Sequence, residues 1–242
     1  MRQPIRFYYN DNHGITPEQI ETYVSKYGKD ILIGLDGIED GPDEDVLASL
    51  DSIRQQGCLL HIYTVGCAMA EWSSEEAQQL KNHAESVGID TSDDNWHDEW
   101  IASGWLKKAH EQFIQFNEMS AYSCEIDNLD QVLDNDPDKT VNFYKEFSQW
   151  RTDNNISTKI MMKNHNEECL TAIIEAVKNK ELPVDMFAIF SMFEEGTGDA
   201  QEQINKCKEL GIYAVTPKSG ITPTESYGVV EEGVPIINKE SN

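Results

Sequence analysis

Short apolar, β-prone runs alternate along this chain with longer segments in which apolar residues recur every three or four positions. The short runs predict strands over residues 5–10, 30–36, 59–66, 121–127, 158–164, 185–193, 212–217 and 229–237. The periodic segments predict helices over 17–27, 43–56, 74–87, 104–119, 138–154, 167–178 and 200–210. Helix starts carry matching signals: Thr16 precedes Pro17 and Glu18, and Ser73 and Ser74 precede Glu75 and Glu76. Gly28, Gly57, Gly88 and Gly211 stand just past helix ends.

Near-continuous apolar runs such as Ile31-Leu32-Ile33-Gly34-Leu35 and Ile160-Met161-Met162 point to strands buried on both faces. Strands of that kind, each followed by a helix, imply a parallel sheet. About eight such units in 242 residues predict an α/β fold, a single-domain (β/α)8 TIM barrel over residues 1–242. A doubly wound open sheet is the alternative. One long insertion is expected between the third and fourth strands, a Trp-rich loop at 88–106 that carries Trp96, Trp100 and Trp105. Long loops are often functional lids, and Trp faces stack well on sugar rings; ordinary packing explains the same residues.

Charge narrows the partners. With 44 acidic against 19 basic residues, the net charge is −25. Such a surface repels phosphate backbones, so no nucleic-acid partner is expected, and cationic ligands are favoured. No run approaches the roughly 20 apolar residues of a membrane span. The N-terminus shows no apolar signal region, so the expectation is a cytoplasmic protein, or a secreted one if a leader preceded Met1. Cys58, Cys67, Cys124, Cys169 and Cys207 are widely spaced and odd in number, which predicts reduced thiols rather than disulfides or a cysteine zinc site.

The candidate chemistry sits at predicted strand ends. In Ala121-Tyr-Ser-Cys-Glu-Ile-Asp-Asn, residues two apart share a face, so Glu125 and Asp127 lie together where the strand stops. Crowded carboxylates shift each other's pKa and serve acid–base work on sugars; a solvated strand end is the plain alternative. Other polar groups expected at the same end are Asn10, Asp11, Asp36, Asn128, Lys163, Asn164, His165, Glu194 and Glu195. Tyr8, His61 and Tyr63 lie on strands leading there, and His61 is expected to be a satisfied interior histidine. A barrel would gather these ends into one ring. No GxGxxG, GxxxxGK[ST], HExxH or GxSxG motif is present, and neither metal nor cofactor is expected. Lys163 on a strand keeps a Schiff-base lyase or aldolase open.

Several of these segments together resemble the endo-α-1,4-polygalactosaminidase family, glycoside hydrolase family 114. Glu125-Ile-Asp127-Asn128-Leu-Asp130 is similar to that family's Glu-Pro-Asp-Asn-Val-Asp signature. Gly34-Leu-Asp36-Gly, Leu60 through Gly66 followed by Glu71-Trp72, Lys163-Asn164 and Met192-Phe193-Glu194 resemble shorter family segments. The chain departs from the pattern at Ile126, where the family has proline, and at Ile189-Phe190-Ser191, where it has an Asn-Glu pair. The resemblance implies a TIM barrel that hydrolyses an amino-sugar, galactosamine-type polysaccharide with two carboxylates. Asp127 and Glu125 would be central, with Glu194 as partner acid. Asp36, Tyr63, Asn128, Lys163 and Asn164 would bind substrate, and Trp72 and Trp96 would stack on its rings. A cationic, partly deacetylated polymer or oligosaccharide would suit the acidic groove. A barrel that binds carbohydrate without cutting it is the alternative of a different class.

Overall fold

The computed structural model describes residues 4, 6–8, 15–36, 38, 42–64, 74–163, 165–191, 205–207, 209–215 and 234–235. In chain order its elements are β1 (Arg6–Tyr8), α1 (Pro17–Tyr27), β2 (Ile31–Leu35), α2 (Glu44–Gln56), β3 (Leu59–Thr64), α3 (Ser74–Ser86), α4 (Trp96–Glu99), a π-helix (Trp100–Gly104) and α5 (Trp105–Glu118). Then follow β4 (Ser123–Ile126), α6 (Leu129–Val132), α7 (Pro137–Asp153), β5 (Lys159–Lys163), α8 (Glu167–Lys178), a 3-10 turn (Val184–Met186), β6 (Phe187–Ser191), β7 (Tyr213–Val215) and β8 (Val234–Pro235).

Strands β1 to β7 pair in sequential order, each parallel to the next. The order has no reversal, which a doubly wound sheet requires at its switch point. Strands β1 to β6 curl into a parallel half-barrel backed by helices. The last strand corrects the expectation of a repeating parallel unit. β8 pairs antiparallel with β1, Phe7 opposite Val234 and Arg6 opposite Pro235. Proline has no backbone N–H to give to a ladder, and an edge position such as this is where it is tolerated.

Local chemistry explains the helix starts. Thr16 caps α1 in a reciprocal box with Gln19, and Pro17 opens the first turn. Asp43, Asp136 and Asn166 cap α2, α7 and α8 through side-chain oxygens that accept from backbone N–H groups. Gly57 ends α2 at φ +69°, a left-handed conformation that favours glycine.

The two faces of the sheet differ. Leu60 and Ile62 on β3, Cys124 and Ile126 on β4, and Ile160 and Met162 on β5 join Phe113, Phe116, Phe147, Ile173 and Ile174 of the helices in one buried cluster. The alternate residues His61, Ser123 and Glu125 are as buried but polar, and they occupy the opposite, inner face. Phe7 meets His61 edge-on there, with ring centroids 5.3 Å apart. Among the described residues no helix is long and apolar enough to cross a membrane.

The stretch expected as a Trp-rich loop at 88–106 is helical from Trp96 onward. Trp100 and Trp105 are buried in the core cluster rather than laid over a mouth. The π-helix supplies the reason. Its wider turn bonds the Trp105 N–H to the Trp100 carbonyl, so tryptophans five apart fall on one face. Gly104 makes the turn possible: a Cβ there would meet Ile89 Cδ1 at 2.5 Å and the Trp100 ring at 2.7 Å. The isoleucine tip can move, but the indole is buried. Gly104→Ala is therefore expected to cost about 1–3 kcal/mol, despite alanine's better helix propensity. A fall in the urea unfolding midpoint at unchanged slope would show it; no change would mean that Trp100 relaxes freely.

Candidate functional site

Register assembles the site. In the parallel β3–β4 ladder, His61 lies beside Ser123 and Tyr63 beside Glu125. Period-two alternation then puts His61 and Tyr63, Ser123 and Glu125, and Lys163 of β5 on the inner face, with Tyr63, Glu125 and Lys163 toward the C-terminal strand ends. Asp127 follows β4 directly and continues the file, and its backbone N–H points to the Thr64 carbonyl at 3.5 Å.

The polar atoms form a connected chain. Ser123 Oγ is 2.9 Å from His61 Nδ1, and His61 Nε2 is 3.2 Å from Glu125 Oε2. Lys163 Nζ donates to Glu125 Oε1 at 3.1 Å and to Asp127 Oδ1 at 2.7 Å. The Tyr63 hydroxyl donates to Asp127 Oδ2 at 2.7 Å, and the Asn128 N–H donates to Asp127 Oδ1 at 3.0 Å. The ammonium also lies 5.5 Å from the centroid of the Tyr63 ring. His61 must carry its proton on Nε2 to reach Glu125, and the Ser123 hydroxyl can serve either state of Nδ1.

The two carboxylates are not equivalent. The Glu125 side chain is 2% exposed and that of Asp127 is 22% exposed. Burial pushes the Glu125 carboxyl up, but the Lys163 charge and the His61 hydrogen bond outweigh it and hold the group down at about 2. The Lys163 ammonium and the His61 hydrogen bond thus favour the ionised form of an enclosed Glu125. Asp127 is the carboxylate that reaches the rim, with both oxygens held.

The other expected residues fall out as follows. Asn128 directly follows Asp127 in a left-handed conformation at φ 56°, which asparagine tolerates better than most residues. That conformation starts α6 and turns the chain away from the strand end. Asp36 directly follows β2 and is partly buried. Trp96 is partly buried, packs against the hydrophobic cluster and meets His97 edge-on at 5.7 Å. Tyr8 stacks on Tyr23 of α1 at 3.9 Å, which places it on the helix side of the sheet rather than at the site. Trp72, Asn164 and Glu194 lie outside the described residues, as do Asn10, Asp11 and Glu195. Among the described residues no group of three or more His, Cys, Asp or Glu could hold a metal ion.

His165 is buried, and its Nε2 shares a hydrogen bond with the Tyr144 hydroxyl at 2.7 Å. Burial drives its pKa down to about 4, so the ring is neutral, and it pushes the Tyr144 hydroxyl up. Nδ1 has no partner. Tyr144→Phe would leave the ring with neither nitrogen bonded, at an expected cost of about 1–3 kcal/mol. Chemical unfolding at neutral pH measures this; an unchanged midpoint would show that the bond contributes nothing net.

No family model and no curated protein matches this chain. The resemblance to the polygalactosaminidases therefore rests on the motifs alone.

Proposed function

We propose that the chain is a glycoside hydrolase acting on an amino-sugar, galactosamine-type polysaccharide, with Asp127 as the reacting carboxylate. The observation that carries this is Asp127 itself: a rim-exposed carboxylate just past a parallel strand end, with Lys163 on one oxygen and Tyr63 on the other. Glycosidases use two carboxyl groups, and Asp127 is proposed as one of them. Here Asp127 is held ready to accept a bond or a proton, as nucleophile or base. Bridging by a single ammonium brings Glu125 and Asp127 closer than the roughly 6.5–9.5 Å of an inverting pair, but the locked charge of Glu125 disqualifies it as the acid. Glu194 is proposed for that role. A complete (β/α)8 barrel would bring the end of the sixth strand, and Glu194 after it, into the same ring as Asp127.

Lys163 is poorly suited to Schiff-base chemistry, which needs a neutral amine. Two carboxylates at hydrogen-bond distance stabilise its ammonium. That geometry disfavours the lyase reading.

The departure at Ile189-Phe190-Ser191 favours one rival, carbohydrate binding without cleavage. Calorimetry with oligosaccharides from partly deacetylated galactosamine and glucosamine polymers, paired with product chromatography, separates the two. Hydrolysis predicts binding and product with wild type, and binding alone with Asp127→Asn. Saturable binding by wild type with no product would establish the rival.

A further inference from the structure

Lysines in carbohydrate sites are ordinarily read as groups that touch the substrate. Lys163 has a different setting. Its side chain is 10% exposed, and its ammonium is bonded to both carboxylates. Behind it the chain of contacts continues through Glu125 to His61 and Ser123, all buried. Each group in this file satisfies the next, from the interior of the sheet to its rim.

We infer that Lys163 is a positioning residue for Asp127, anchored by Glu125 and through it by His61 and Ser123, and that Glu125 takes no direct part in the reaction. Electrostatics requires such an arrangement. Two neighbouring carboxylates, one of them enclosed, would repel each other, and an ammonium between them compensates both. Geometry gives the arrangement its use. Lys163 holds Oδ1 of Asp127 and Tyr63 holds Oδ2, so the carboxylate is clamped at two points and cannot rotate freely. A reacting group held in one orientation is worth far more than one that samples several. His61, one of the satisfied interior residues, becomes part of the support.

The inference rests on the glycosidase reading for the reaction that Asp127 performs, but the anchoring can be tested without it. Carboxyl-carbon NMR would follow Glu125 through a pH titration in wild type, Lys163→Met and Lys163→Arg. Wild-type Glu125 should stay ionised to about pH 2. Its titration should move up by about one pH unit or more in Lys163→Met, and return toward wild type in Lys163→Arg. An unmoved Glu125 in Lys163→Met overturns the anchor. Should Lys163→Met fold poorly, the neutral pair Glu125→Gln with Lys163→Met removes the unpaired charge; the Asp127 carboxyl signal should still shift from its wild-type position, and an unshifted signal overturns the clamp. With a cleaved polymer in hand, Lys163→Met should lower kcat by about 100-fold while KM changes little. A raised KM with unchanged kcat would instead make Lys163 a substrate contact and overturn the inference. A wild type that cleaves nothing defeats the glycosidase reading, and the NMR result still decides the anchor.

Discussion

Asp127→Asn is expected to reduce polysaccharide cleavage by about 1,000-fold or more while leaving oligosaccharide binding largely intact. Asparagine keeps the size of the side chain and one acceptor oxygen, so the Tyr63 or Lys163 contact can survive in part. It loses the charge and the electron pair that attack a sugar or take a proton from water. Because the side chain reaches the rim, the change should cost the fold no more than about 2 kcal/mol. Loss of turnover with a near-wild-type unfolding midpoint would therefore report chemistry. Retained turnover would show that Asp127 only supports the site.

The second large effect is on stability. Lys163→Met is expected to destabilise the protein by about 3–5 kcal/mol at neutral pH, because it leaves Glu125 charged, enclosed and short of its main partner. The same pairing shapes acid behaviour. Folded Glu125 takes up its proton only at about pH 2, against an ordinary value of 4.5. Between those values the unfolded chain binds more protons than the folded one, so stability rises with pH across that window. The contribution, about 3 kcal/mol, is complete above pH 4.5 and is lost as pH falls toward 2. Urea unfolding from pH 2 to 7, followed by tryptophan fluorescence, should show this slope in wild type. In Lys163→Met the acid window should shift upward. A variant as stable as wild type at pH 7 would mean that His61 alone compensates Glu125.

Much of the scaffold could be read from the chain, because its information is local. Capping at Thr16, Asp43 and Asn166, helical periodicity and apolar runs mark α1, α2, α8 and the parallel strands, and the structure places them there. The stretch around Trp96 misled for a physical reason. Trp100 and Trp105 are five apart, which fits no α-helical stripe, and only a π turn brings them onto one face. β8 misled because antiparallel pairing with β1 depends on the path of a distant segment.

The site was legible in pieces. Alternation alone puts Glu125 and Asp127 on one face, and it puts Lys163 at the end of its own strand. What alternation cannot show is cross-strand register. The pairing of His61 with Ser123 and of Tyr63 with Glu125 turns separate polar residues into one chain, in which Glu125 meets both His61 and Lys163. Strand-interior polar residues at two-residue spacing, Ser123 before Glu125 and His61 before Tyr63, were the available signal for the supporting pair.

The most direct measurement is the release of reducing ends from partly deacetylated galactosamine polymer by the wild-type protein, with glucosamine and uncharged polymers alongside. Release from the amino-sugar polymer is expected, faster than from the uncharged ones, and none with Asp127→Asn. Absence of release from every polymer, or release that persists in Asp127→Asn, would contradict it.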